Sequence, residues 1–319
     1  MPLLELLNVS KHYKVNSGMF GLKSDSVRAV DNVSFTVNQG ETLGLVGESG
    51  CGKSTLAKCI MGLESVTKGE IIFKERSVAT WNEKELRRRM QMVFQDPYSS
   101  LNPRQKINSI IREGLDIHKI GSSTERKERV ETLLGLVGLR PEHGNRYPHE
   151  FSGGQRQRVA VARTLALDPQ LIVCDEPVSA LDVSVQAQVL RMLKELQHQF
   201  NLTYIFISHD LSVVSHISDR VAVMYLGRIM EIGPSDTLFA NPSHPYTEAL
   251  LSAVLRPDPT IQSAQIPLSG DLPSPINPPT GCPFHPRCPK AFEKCSHTRP
   301  DLNEIPNGVE VACWLYDSL

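Results

Sequence analysis

Thr42-Leu43-Gly44-Leu45-Val46 runs directly into Gly47-Glu48-Ser49-Gly50-Cys51-Gly52-Lys53-Ser54-Thr55. The first five residues are a short apolar run that reads as a buried strand, and residues 54–61 have helical composition. Gly47 to Ser54 fill the pattern G-x-x-x-x-G-K-[ST] in the context it needs, after a strand and opening a helix. Glycines let the backbone fold with its N–H groups turned inward, and the helix behind adds the positive end of its dipole. The loop is expected to cradle phosphates, with Gly47, Glu48, Ser49, Gly50, Cys51, Gly52 and Thr55 in the binding set. Lys53 would reach the β- and γ-phosphates, and the Ser54 hydroxyl would ligate Mg2+.

Downstream, Leu171-Ile172-Val173-Cys174-Asp175-Glu176 is an apolar strand that ends in two carboxylates. Acids in that position fall at the carboxyl edge of a sheet, where open α/β folds bind ligands. Asp175 is placed to hold Mg2+, directly or through water, and Glu176 to orient and polarise an attacking water. No Asn-Lys-x-Asp segment for reading guanine occurs, which disfavours a small GTPase. Phe151-Ser152-Gly153-Gly154-Gln155 immediately precedes a helix, so its serine and glycine amides make a second anion site. Two phosphate-binding helix ends in one chain are odd for a kinase. They make sense if the second faces a neighbour's nucleotide.

Outward from these elements the chain alternates strands and helices. Residues 4–9 and 27–37 read as strands, and 96–139 as mostly helical. Residues 82–89 read as a charged helix whose Arg87-Arg88-Arg89 run is a solvated face. Further helices are expected over 155–167, 183–200 and 211–217, and strands over 171–174, 203–208 and 221–226. This alternation predicts an α/β fold with a mainly parallel sheet covered on both faces.

The chain has 319 residues, room for about two domains. A net charge of −1 leaves no footprint for nucleic acid or a polybasic membrane surface. No run of 18 apolar residues predicts a membrane span. Met1-Pro2-Leu3-Leu4-Glu5 lacks the basic and apolar regions of a signal peptide. The distribution is uneven: 15 of 22 prolines and four of seven cysteines lie in residues 234–319, whereas 18 of 21 glycines lie before them. A glycine-punctuated regime therefore gives way to a proline-rich, cysteine-bearing tail.

Together the motifs resemble the ATP-binding cassette (ABC) ATPases over residues 1 to about 233. Phe151–Gln155 is similar to the family signature Leu-Ser-Gly-Gly-Gln, with Phe at its first position. The resemblance makes Ser152, Gly153, Gly154 and Gln155 nucleotide contacts. It makes Gln95 the Q-loop glutamine, contacting Mg2+ and water and coupling to a membrane partner. Asp182, in Ser179-Ala180-Leu181-Asp182, matches the D-loop, and His209 the switch histidine that meets the γ-phosphate. Tyr13 falls where the family stacks a ring on adenine. The catalytic set implied is Glu176, His209 and Gln95, with Ser54, Gln95 and Asp175 around Mg2+. The implied fold is a P-loop NTPase: a RecA-like core with antiparallel β and helical subdomains, the helical one over about 96–165. The implied assembly is a head-to-tail dimer, with ATP between Lys53 of one protomer and Ser152 and Gly154 of the other.

The tail over residues 234–319 narrows the subfamily. Asn241–Thr247 with Leu250-Leu251, and Gly281–Pro289, resemble the C-terminal region of oligopeptide and dipeptide importer ATPases. The long segment between Tyr13 and Val27 resembles the second of the two ATPase subunits that such systems pair. Nickel and glutathione importers share this tail, so those solutes stay open. Cys282, Cys288, Cys295 and Cys313 are spaced C-x5-C-x6-C-x17-C, without the short knuckle usual in structural zinc sites. Prolines beside cysteines and four thiolates fit a [4Fe–4S] cluster better, with Zn2+ as the alternative. Cys51, Cys59 and Cys174 read as small packing residues.

The resemblance thus implies an ATPase that energises import of di- or oligopeptides. Its partners would be a second ATPase subunit, different or identical, two integral membrane permeases, and through them an extracytoplasmic solute-binding protein. It would sit peripherally on the cytoplasmic face of the inner membrane, with no nucleic-acid partner. A soluble, non-transport ABC ATPase is the competing reading, disfavoured by the single cassette and the importer-like tail.

Overall fold

The structure, a computed structural model, describes residues 1–17, 23–253 and 270–317. Residues 18–22, part of the long segment after Tyr13, lie outside the described residues. The chain forms two compact units: Met1–Val37, Thr42–Ala79 and Ser208–Leu319 make one, and Asn38–Glu41 with Thr80–Ile207 the other.

In the first unit, strands Leu4–Ser17 and Lys23–Val37 pair antiparallel, and Lys68–Phe73 pairs along the other edge of the first strand. Alternation buries Leu4, Leu6, Val30, Val33, Phe35 and Val37 on one side. The expected short strand is therefore the start of a longer hairpin. The second sheet of this unit is built on Thr42–Val46, buried at every position as a continuous apolar run predicts. It pairs parallel with Arg220–Tyr225, which pairs antiparallel with Arg228–Pro234. Leu226 (φ 43°) and Gly227 (φ 79°) make the tight turn between those two strands, the geometry that a two-residue hairpin requires.

The tail does not stand apart from this unit. Val309–Val311 pairs with Glu231 and Ile232 of the strand Arg228–Pro234, and Asn303–Ile305 pairs in turn with Val309–Val311. Ile305, Val309 and Val311 form a small core with Cys313 and Tyr316 against it. The strand Arg228–Pro234 thus carries the pairing of the tail into the sheet built on Thr42–Val46.

In the second unit, Met90–Val93, Leu171–Asp175 and Thr203–Ile207 pair in parallel, with Leu171–Asp175 in the centre. The mostly helical stretch resolves into Pro97–Ser100, Ile107–Ile117 and Ser123–Leu136, interrupted at Asn102-Pro103 and Gly121. A reciprocal pair of hydrogen bonds between Ser122 and Glu125 starts the last of these. Asn82 caps the helix Glu83–Arg89, where Arg87 and Arg89 pair with Glu83 and Glu85 one turn back. The long helix Val183–Phe200 buries Val189, Met192, Leu193, Leu196 and Gln197, a true i, i+3, i+4, i+7 stripe. Phe200, the last residue of this helix, is 38% exposed.

Candidate nucleotide-binding site

The helix Lys53–Ile60 begins one residue before expectation, at the lysine itself. Its N-cap is Gly52, with no side chain to occupy the first-turn N–H groups. Gly52 has φ 109° and Gly47 φ 150°. A Cβ on Gly52 would be driven into the carbonyl oxygen of Ala29, and one on Gly47 into that of Met224. Both glycines are thus required by close backbone approach as well as by φ. The Lys53 ammonium is folded into the loop, donating to the carbonyl oxygens of Gly47 at 2.7 Å and Glu48 at 2.9 Å. The Sγ of Cys51 lies 3.7 Å from it, and burial pushes that thiol up. Gly227 N–H donates to Cys51 C=O at 2.8 Å and anchors the loop to the neighbouring turn. Ser49, Gly50 and Ser54 are exposed and Thr55 is half-buried.

Two residues absent from the sequence expectation hold this loop. Arg287 forms an ion pair with Glu48, and the Glu48 N–H donates to Tyr246 Oη at 3.0 Å. Both lie in the tail stretches Asn241–Thr247 and Gly281–Pro289, whose resemblance assigns them no role at the loop.

Also in the first unit, Tyr13 is half-buried, with the Lys11 ammonium 4.9 Å from its ring centroid. His209 is exposed and follows buried Ser208. Asp210 next to it caps the helix Leu211–Ile217 through the Ser212 N–H at 2.9 Å.

The second unit brings Gln95 and Glu176 together. Gln95 Nε2 donates to Glu176 Oε2 at 2.8 Å. Glu176 itself adopts φ 48°, unusual for a side chain of its size. That kink is held by its N–H donating to Ile207 C=O at 2.9 Å and by its C=O accepting from Ser179 Oγ at 3.1 Å. Asp175 is the last residue of the central strand, and Asp182 the N-cap of the helix Val183–Phe200. Ser152 caps the helix Gly153–Leu165: its Oγ accepts from Gln155 N–H at 3.3 Å, while Gln155 Oε1 accepts from Ser152 N–H at 3.1 Å. A Cβ on Gly154 would collide with Val185 Cγ1. This helix start is therefore glycine-bound by packing.

Cys282, Cys288, Cys295 and Cys313 line one cavity in the first unit, beside His244 and Phe284. All four are free thiols, and Cys282 N–H donates to Cys295 C=O at 2.8 Å. Burial, reinforced by the other three sulfurs, pushes the Cys282 thiol up to about 11. Among the described residues, no group of three or more His, Cys, Asp or Glu is arranged to hold a metal ion. The expected tail metal site thus appears as a shared cavity and not as a set of ligands converged on one point. Cys51, Cys59 and Cys174 are each almost fully buried, as packing residues are.

A glycine loop that folds a lysine inward occurs in many nucleotide-binding proteins. The capped Ser-Gly-Gly-Gln helix start in the same chain narrows the class to the ATP-binding cassettes. Residues 30–179 match the ABC transporter family, and residues 230–295 the oligopeptide/dipeptide transporter C-terminal region. The oligopeptide transport ATP-binding protein AppF of Bacillus subtilis is 53% identical, over 98% of this chain and 97% of its own. The dipeptide transport ATP-binding protein DppF of Haemophilus influenzae is 52% identical, over 99% and 97%. Among solved structures, cbiO1 of Clostridium perfringens, part of the ABC transporter complex cbiONQ, aligns with TM-score 0.66 at 26% identity. It covers 75% of this chain and 91% of that one. The ATP-binding cassette MJ0796, solved as a dimer bound to ADP and Pi, aligns with TM-score 0.64 at 29% identity, over 73% and 98%. The chain belongs to the ABC transporter family, among the ATP-binding proteins of oligopeptide/dipeptide transporters. Its chemistry is ATP hydrolysis coupled to transport. Among the described residues, no helix is long and apolar enough to cross a membrane.

Proposed function

We propose that this chain hydrolyses ATP to drive uptake of di- or oligopeptides through two integral membrane permeases, bound peripherally at the cytoplasmic face of the membrane. The observation that carries this reading is the similarity to peptide-transport ATP-binding proteins along the whole chain, tail included. The reading pairs the chain with a second, different ATPase subunit. ATP then lies between the Gly47–Thr55 loop of one protomer and the Ser152–Gln155 turn of the other, with Asp182 at the junction and Tyr13 against adenine.

In this assignment Lys53 leaves the carbonyls of Gly47 and Glu48 for the β- and γ-phosphates. Glu176 polarises the attacking water, and its hydrogen bond from Gln95 fixes where that carboxylate points. His209 meets the γ-phosphate. Ser54, Asp175 and Gln95 offer the hard oxygen donors that Mg2+ prefers, so the residues present suit that ion. Mg2+ would neutralise charge developing on the phosphates.

The four tail thiols are assigned to a [4Fe–4S] cluster. Four free thiols around one cavity suit its donor chemistry. Zn2+ is the alternative occupant, and for either one the four thiols, which are not converged on one point among the described residues, would have to draw together. When bound, the cluster would supply a four-thiolate crosslink of the tail.

The test is affinity purification of the tagged full chain from membranes. Co-purification of a second ATPase and two integral membrane proteins, with peptide-stimulated ATP turnover, supports the reading. Recovery of the chain without membrane proteins would overturn it.

A further inference from the structure

Glu48, the residue after the first glycine of the phosphate loop, is held at its carboxylate and at its backbone by the C-terminal segment. Arg287 Nη1 donates to Glu48 Oε1 at 2.9 Å and Oε2 at 3.1 Å, while the Glu48 N–H donates to Tyr246 Oη at 3.0 Å. The third polar group of Glu48, its C=O, accepts from Lys53 Nζ at 2.9 Å. The residue clamped by the tail is therefore one of the two, with Gly47, whose carbonyls hold the phosphate-binding lysine.

The clamp is itself tightly seated. The Arg287 side chain is 5% exposed, against 25% for Glu48. Arg287 Nη1 also donates to Tyr225 Oη at 3.4 Å, with the guanidinium 5.9 Å from that ring's centroid. Tyr225, Tyr246 and Phe284 form an aromatic triangle with centroids 4.7, 5.4 and 5.2 Å apart. Phe284 is fully buried and also lines the four-thiol cavity. A guanidinium fixed by aromatic packing and paired with a carboxylate gives hydrogen bonds about twice as strong as neutral ones. That strength is directed at Glu48, between the anchored Gly47 and the exposed Ser49 and Gly50.

Resting on the assignment of Gly47–Thr55 to phosphate, we infer that Arg287 is a positioning residue for ATP binding. Its ion pair with Glu48, together with the Tyr246 hydroxyl, fixes the backbone of the phosphate loop and the starting position of Lys53. The oligopeptide-type tail thus acts on the nucleotide site of its own chain.

The test uses the full-length chain and a fluorescent ATP analogue. Arg287→Ala is expected to raise the analogue's Kd about tenfold, with faster amide hydrogen exchange confined to residues 47–53 and the adjoining turn. Arg287→Lys, which retains charge and most of the side-chain volume, is expected to give an intermediate Kd. Glu48→Ala combined with Arg287→Ala should bind no more weakly than the worse single variant, because both remove one interaction. An unchanged Kd in Arg287→Ala, or fully additive losses in the double variant, would overturn the inference. Lys53→Ala separates the two readings: if the wild-type chain binds the analogue no better than Lys53→Ala does, the phosphate-loop assignment itself fails.

Discussion

Gln95 and Glu176 stand 81 residues apart in sequence and meet through a 2.8 Å hydrogen bond, amide nitrogen to carboxylate oxygen. The contact fixes Glu176 on a backbone already kinked to φ 48°. Removing a hydrogen bond to a charged group costs about 1.5–3 kcal/mol. Gln95→Ala is accordingly expected to slow ATP turnover by about ten- to a hundredfold, because the carboxylate loses its orientation. Single-turnover hydrolysis measured beside equilibrium nucleotide binding checks this: the rate should fall far more than the affinity.

The glycines of the phosphate loop are not equivalent. Gly52 combines φ 109° with a backbone carbonyl where a Cβ would go, whereas Gly50, at φ 79°, has nothing within 4 Å. Gly52→Ala is expected to abolish nucleotide binding and lower the melting temperature. Gly50→Ala should cost only the left-handed conformational penalty of about 1–2 kcal/mol. Thermal melts with and without Mg2+-ATP distinguish the two, and equal effects would contradict the packing described here.

His244 is fully enclosed, and burial depresses its imidazole to about 3. The neutral ring is needed, since Nδ1 accepts from Tyr246 N–H at 3.0 Å and caps the helix Pro245–Ser252. The unfolded chain takes up a proton below about 6.5, and the native chain resists it until far lower pH. Stability from this group is therefore complete above about pH 6.5 and is lost progressively as pH falls towards 3, by at most about 1.4 kcal/mol per pH unit. His244→Asn keeps a cap acceptor and removes the titration. Glu231, whose carboxyl burial raises, works in the opposite sense but is common to both proteins. Urea unfolding between pH 7 and 4.5 should show the wild type losing stability relative to His244→Asn as pH falls.

The tail thiols give a direct compositional result. Full chain purified anaerobically is expected to be brown and to carry about four irons, as a [4Fe–4S] cluster requires. A colourless, iron-free sample removes the cluster assignment, and one zinc per chain would replace it with the alternative ion.

Much of the nucleotide site was legible because its signals are local. The glycine loop, the Ser-Gly-Gly-Gln helix start and the strand ending at Asp175 each occupy a few consecutive residues whose types state their geometry. The strand Arg228–Pro234 was missed because Glu231, fully buried at 0% exposure, breaks its apolar pattern. That carboxylate is satisfied by the N–H groups of Ser243 and His244, 12 and 13 residues on, which no periodicity reveals. Composition changes near residue 234, but composition carries no information on the pairing between Val309–Val311 and Glu231-Ile232. The contact of Arg287 with Glu48 spans 239 residues and joins two motifs that had been read independently.

The central claim, ATP hydrolysis with Glu176 as the water-polarising carboxylate, is tested most directly by Glu176→Gln in the assembled transporter. Turnover and ATP binding should be measured on the same preparation. Loss of a general base predicts a fall in turnover of about 10²–10⁴-fold, with ATP still bound at near wild-type affinity. Turnover at the wild-type rate would contradict the account.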